Sequence, residues 1–186
     1  MKKIVCSIAA VFMCLCAYAQ KPVVVVDYFT SPSCKEAGVS ALRGHVIAGL
    51  TATNRVNLID VETEASLSLE ADRRSSEMAM EDLTARLGAM KTLGANYIVT
   101  GVASKIGADK RVTDEGNVYY NGNVVYSLKV VNAEDGTLIG AESYTYSDLT
   151  GSTGSTSEEA TVATLRKAEK DMKVFVSKYF TVKGVI

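Results

Sequence analysis

Val23-Val24-Val25-Val26 lies inside an apolar stretch from Lys21 to Phe29 that is β-branched and apolar on both faces, the pattern of a central strand covered on two sides. Thr30-Ser31-Pro32-Ser33 breaks that strand. Between Lys35 and Thr53, Val39, Leu42, Val46 and Leu50 recur at steps of three and four, which predicts an amphipathic helix. Arg55 to Val61 reads as a second short strand carrying Val56, Leu58 and Ile59. Polar residues from Glu62 to Ser76 lead to Met80, Leu83, Leu87 and Met90 at helical spacing, a second helix ending near Gly94, where a left-handed cap is wanted. Asn96 to Ser104, rich in Tyr, Ile and Val, is the third strand.

The pattern then changes from alternation of strand and helix to consecutive strands. Asn117 to Asn132 and Thr137 to Tyr146 are two long β-type runs joined by Ala133-Glu134-Asp135-Gly136, a good hairpin connection, so the two strands should be antiparallel neighbours. Asn121-Gly122 is a further turn dipeptide, which either makes a small extra hairpin or lies in a loop leading to Val124. After the flexible Gly151-Ser152-Thr153-Gly154, a capping box is read at Thr156 with Glu159 or at Ser155 with Glu158. Val162, Leu165, Ala168, Met172, Phe175 and Tyr179 then form the apolar stripe of a closing helix that should lie on the sheet. The expected fold is α/β, a two-layer or three-layer mixed sheet of about five strands in the order β-α-β-α-β-β-β-α.

The beginning of the chain belongs to a different kind of segment. Met1-Lys2-Lys3, the apolar run from Ile4 to Ala17 and the small-residue site Ala17-Tyr18-Ala19 before Gln20 read as a cleavable export signal at 1–19, leaving 20–186 as a single domain. The run falls short of the roughly 20 apolar residues of a spanning helix, and no transmembrane segment is expected in the mature chain. Cys14 and Cys16 follow Met13 and Leu15, not the small residue that precedes a lipidated cysteine, so ordinary cleavage after Ala19 is the expectation. Loss of Lys2 and Lys3 moves the formal charge from −1 to −3, and no nucleic-acid partner is suggested. Three of the 4 cysteines leave with the signal, so Cys34 has no partner for an internal disulfide and stability must come from a packed core.

Candidate chemistry is thin. His45 is the single histidine of the chain, and it lies eleven residues from Cys34, about 16 Å along a helix, too far for a thiolate–imidazolium pair. Asp60, Glu62, Glu64, Glu70 and Asp72 cluster in sequence without the fixed offsets and turn glycine of a calcium loop, and they read as solvated surface. The glycines at 94–101 and 151–154 lack the lysine, the order and the strand-to-helix placement of a phosphate loop, and no nucleophile elbow is present. The reading is therefore of no catalytic residues, no cofactor and no metal. A surviving enzyme hypothesis would use Asp27 or Asp60 as a general base and predicts lost activity in Asp27→Asn. Of the 9 tyrosines, Tyr119, Tyr120, Tyr126, Tyr144 and Tyr146 concentrate on the two C-terminal strands, where they could form a partner-binding surface or simply follow the strand preference of tyrosine.

Four blocks of the sequence carry a resemblance. Lys21 to Phe29, Asn54 to Asp60, Leu93 to Gly101 and Leu128 to Gly140 resemble, in order, the blocks of the CsgG/LpoB superfamily of envelope proteins. The resemblance implies a periplasmic domain like the N-terminal domain of TolB, without catalytic residues, at the periplasmic side of the outer membrane of a Gram-negative cell. One branch of that family forms the channel that exports curli subunits, and another is a lipoprotein that activates peptidoglycan synthases by binding them. The chain departs from both at the lipidated cysteine. Lys105 to Gly116, with Asp109, Lys110, Arg111, Asp114 and Glu115, is short and charged for a membrane-spanning hairpin. The expected partner is thus an envelope protein, either a peptidoglycan synthase or a secretion or fimbrial component. The alternatives are a ring-forming curli-type secretion component without its own barrel and a simpler homo-oligomer.

Overall fold

The structure is a computed structural model and describes residues 21–61, 88, 90–91, 93–147 and 152–180. The export signal, Glu62, Glu64, Glu70 and Asp72 lie outside the described residues, as does most of the second expected helix, of which Gly88, Met90 and Lys91 are helical. Strand β1 (Val23–Thr30) is followed by helix α1 (Glu36–Ala52) and strand β2 (Asn57–Asp60), then by β3 (Tyr97–Val112), β4 (Val118–Asn132), β5 (Leu138–Tyr146), the two-residue β6 (Thr153–Gly154) and helix α2 (Ser157–Tyr179). The sheet runs β2-β1-β3-β4-β5, with β6 on β4, so the expected mixed α/β architecture is present with one short strand more than the sequence suggested. β1 pairs in parallel with β2 and β3, whereas β3, β4 and β5 are successive antiparallel neighbours.

Both complete helices lie on one face. Val24, Val26, Val99, Val124, Leu128 and Val130 point from the sheet into a core with Leu42, Val46 and Leu50 of α1 and Leu165, Met172, Phe175 and Val176 of α2. Each of these side chains is at most 2% exposed, a degree of burial that stabilises by about 1.5–3 kcal/mol per large residue. On the opposite face Val25 and Ile98 pack with Val61, Met90 and Ala133 in a second, smaller core. The all-apolar valine run is explained: Val24 and Val26 serve one core and Val25 the other.

The ends of the elements follow their chemistry. Gly94 has φ +74°, and the Gly94 and Ala95 N–H groups donate to the carbonyls of Lys91 and Met90, the paired bonds of a left-handed helix cap. Two residues on, Asn96 Oδ1 accepts from the Val23 N–H at 2.8 Å and fixes the start of β1 against β3. At α2 the capping residue is Thr156, whose hydroxyl accepts from the Glu159 N–H at 3.2 Å, while the Glu159 carboxylate reaches back to the Ser155 N–H at 3.0 Å. In the β4–β5 turn, Asp135 Oδ1 accepts from the Thr137 N–H at 2.9 Å and Gly136 takes φ +74°.

Two expectations are corrected. The third strand does not end at Ser104 but continues to Val112, because a register shift between Ala103 and Lys105 absorbs the extra residue and pairing with β4 resumes beyond it. Asn121-Gly122 is accordingly no turn: both residues pair inside β4, and the reversal falls at Thr113 to Gly116, where Gly116 has φ +87°. Gly122 is required there by proximity, since a Cβ at that position would lie 1.8 Å from Thr164 Oγ1 and 2.5 Å from the Ala160 carbonyl of α2.

Candidate functional site: the β3–β4 ribbon and its tyrosines

β3 and β4 outrun their neighbours. β1 accompanies β3 only as far as Val102, and β5 accompanies β4 only from Val124, so the far ends of the two strands form a ribbon flanked, among the described residues, by β6 at Tyr120 and Asn121 alone. A two-stranded ribbon has little stability of its own in water. Its tip nevertheless carries Val112 and Val118 as directly opposed residues, 61% and 48% exposed. Beside them the register sets Lys110 across from Tyr120 on one face and Arg111 across from Tyr119 on the other. Nearer the body of the sheet, Asp109 is held by Asn123 Nδ2 at 2.9 Å and by Lys105 at 3.6 Å, and the Asn123 hydrogen bond keeps its carboxyl below the usual aspartate range.

The five tyrosines singled out on the C-terminal strands do not share one surface. Tyr119 and Tyr120 are half-buried near the ribbon tip. Tyr126, Tyr144 and Tyr146 instead face the helices: Tyr126 is 1% exposed and stacks on Tyr144 with ring centroids 4.9 Å apart, and Tyr146 is 8% exposed. The Tyr146 hydroxyl donates to the Asp171 carboxylate of α2, whereas the Tyr126 hydroxyl is buried with no hydrogen-bond partner. Burial pushes the Tyr126 and Tyr144 hydroxyls up, out of any physiological titration range, and raises the Asp171 carboxyl. Tyr126 and Tyr146 are therefore core residues with no face to offer a partner. The physical reason is strand parity: Tyr126, Tyr144 and Tyr146 share the face of Val124 and Leu128, and α2 covers it.

Arg43 is the residue that sequence reasoning overlooked. It is 3% exposed on α1, donates through Nε to the Asp27 carbonyl at 3.0 Å and through Nη2 to the Val26 carbonyl at 2.9 Å, and forms an ion pair with Asp60. Its guanidinium also lies 5.5 Å from the centre of the Tyr28 ring. The signal was present, for Arg43 stands four residues after Val39 and three before Val46, on the buried stripe of α1. Asp60 is thus an anchor for the end of β1, and Asp27, 1% exposed, accepts from the Tyr28 N–H at 2.8 Å.

His45 and Cys34 are engaged separately. His45 Nδ1 lies 2.6 Å from Glu169 Oε1 across the α1–α2 contact, and Cys34 Sγ lies 3.9 Å from the Ala103 carbonyl. Between the N-terminal halves of α1 and α2 a groove of about 710 Å³ opens over β3, bounded by Cys34, Gly38, Ala41, Ile106, Val162 and Leu165. A smaller cavity of about 290 Å³ lies at the end of β1 beside Phe29 and Arg43. Among the described residues, no three His, Cys, Asp or Glu side chains are grouped so as to hold a metal ion, and no helix is long and apolar enough to cross a membrane.

No family model matches the sequence, and no curated protein is significantly similar to it. Solved structures are similar in fold. The protein CT253 from Chlamydia trachomatis aligns over 88% of this chain and 100% of its own, with 13% identity and a TM-score of 0.55. Lipoprotein GNA1162 from Neisseria meningitidis aligns over 68% of this chain and 84% of its own, with 10% identity and a TM-score of 0.50. The C-terminal domain of LpoB from Escherichia coli aligns over 69% of this chain and 84% of its own, with 13% identity and a TM-score of 0.47, below the level from which a shared fold follows. At these identities the first two likenesses establish a common mixed α/β fold.

Proposed function

We propose that the exported chain is a binding module of the cell envelope, acting by holding another envelope protein in the manner of the synthase-activator branch of the family its blocks resemble. The observation that carries this reading is the ribbon tip, where Val112 and Val118 stand exposed on a projecting two-stranded arm with Tyr119 and Tyr120 behind them. Exposed apolar residues at a projecting tip are accounted for when a partner covers them, and tyrosine supplies rigid contact area with one hydroxyl at the rim. The export signal and the sequence blocks supply the compartment and the class of partner. The channel alternative receives less support from the same ribbon: Lys110 lies on one face and Asp109 and Arg111 on the other, so neither face offers lipid an uncharged strand.

The test is crosslinking and capture of the tagged mature chain from envelope fractions, followed by identification of what it holds. A peptidoglycan synthase is the expected companion. Recovery of outer-membrane secretion or fimbrial proteins would shift the assignment to an assembly component, and recovery of nothing above a tag control would refute a partner-binding role.

A further inference from the structure

The two edges of the sheet are treated differently. β2 has 4 residues and ends at Asp60, itself tied to Arg43, so this edge is blunted by its shortness. β5 has 9 residues, Leu-Ile-Gly-Ala-Glu-Ser-Tyr-Thr-Tyr, with no proline and no lysine; its one irregularity is a bulge at Ile139, and from Gly140 to Tyr146 it pairs regularly with β4 and offers a straight edge. Its single charge, Glu142, is already engaged within the chain by Lys178 and by the Tyr179 hydroxyl at 2.8 Å, and Lys178 holds the carboxyl below the usual glutamate range. Leu138 and Ile139 are 61% and 43% exposed at the start of this strand. Val174, 69% exposed, lies on the turns of α2 between Asp171, which meets Tyr146, and Lys178, which meets Glu142. Half of the large exposed apolar side chains among the described residues thus flank one edge that no other described strand pairs.

We propose that the β5 edge is a self-association surface, at which a second copy of this chain adds its own β5 antiparallel about a two-fold axis. The pairing continues the sheet through both copies and satisfies the edge N–H and C=O groups. It is self-complementary in charge: each Glu142–Lys178 pair meets its symmetry mate near the axis, so each carboxylate finds an ammonium of the other copy beside its own. It is also self-complementary in polarity, because antiparallel pairing brings Leu138 and Ile139 of one copy to the Tyr144–Tyr146 end of the other, with the two Val174 side chains flanking the seam. The inference does not depend on which envelope protein the ribbon holds.

The experiment is sedimentation velocity on the mature chain, residues 20–186, alongside the double variant Ala141→Lys, Ser143→Lys. Both substituted residues are exposed on the outward face of β5, where antiparallel pairing would set lysine against lysine. Twice the monomer mass for the natural sequence, and monomer for the variant with an unchanged melting temperature and circular dichroism spectrum, is the expected result, with dimerisation at least tenfold weaker. Should the double variant melt early, Ser143→Lys alone serves the same comparison. A monomeric natural chain, a ring of more than two copies, or a dimer that persists in folded lysine variants would overturn the proposal.

Discussion

Replacing Gly122 by alanine tests the packing that seats α2 on the ribbon. The new methyl group would lie 1.8 Å from Thr164 Oγ1 and 2.5 Å from the Ala160 carbonyl oxygen. A threonine side chain can rotate away, but the Ala160 carbonyl belongs to the helix backbone and cannot move unless α2 moves. Restoring an ordinary contact requires the first turns of α2 to retreat by about 1 Å, and a gap of that size forfeits between a quarter and a half of each dispersion contact beneath them. Ala160, Leu165 and Ala168 are at most 2% exposed in that region, so the loss falls on well-buried groups. Overpacking of this kind costs about 3 kcal/mol, the upper end of the usual range. In urea unfolding followed by circular dichroism, the midpoint should fall by about 1.5 M with little change in slope. The double variant Gly122→Ala, Thr164→Ala should recover about 1 kcal/mol of that loss and no more, because the backbone clash remains. Stability within about 0.5 kcal/mol of the natural protein for Gly122→Ala, or full recovery in the double variant, would refute the claim that helix backbone sets this distance.

Other substitutions separate roles that look alike in the sequence. Arg43→Leu should cost about 3 kcal/mol in chemical denaturation, since it removes the donor to two buried strand carbonyls and an ion-pair partner of Asp60, and Arg43→Lys should recover only part of it because one ammonium cannot reproduce the fork. Tyr126→Phe should leave the melting temperature unchanged or raise it, as it removes a buried hydroxyl that has no partner, whereas Tyr146→Phe should cost about 1–2 kcal/mol by stripping a hydrogen bond from Asp171. Equal losses for the two would contradict the assignment. The Ser155 hydrogen bonds hold the Glu159 carboxyl below the ordinary glutamate range in the folded chain, so its contribution is present above that range and is lost as pH falls through the depressed value. A plot of stability against pH should therefore decline less steeply on the acid side for Glu159→Gln, and parallel curves would exclude the effect.

What the sequence made legible depended on whether the signal was local. The valine run, the α1 and α2 stripes, the Gly94 cap, the cap of α2 and the Asp135-Gly136 turn each rest on residues within one turn or one strand of each other; the structure bears them out, except that Val162 of the α2 stripe is 44% exposed, and of the two capping boxes read it takes the one at Thr156. Asn121-Gly122 was misread because its glycine answers to α2, some forty residues away, and not to a local reversal. The extent of β3 was misjudged for a related reason: Lys105 to Val112 is charged and would not hold as a strand alone, yet pairing with Val118 to Val125 carries it. Among the tyrosines, composition located the strands but not the face. Parity from Val124 and Leu128, which are apolar and therefore inward, would have assigned Tyr126 to the core and Tyr119 to the other face; Tyr120 shares the inward parity and is left half-buried by its place beyond the end of β5.

The most direct test of the binding-module account is to repeat the envelope capture with Val112→Asp, Val118→Lys in place of the natural tip, a pair of opposite charges across the two strands that keeps the ribbon paired while removing its apolar surface. Both residues are exposed, so the variant should fold with an unchanged melting temperature while binding falls by about 2 kcal/mol, roughly thirtyfold, the scale of a central contact residue. Loss of the companion protein from the variant, with folding intact, is the predicted result. Capture of the same protein in the same yield would contradict the account and remove the ribbon tip from the function of this chain.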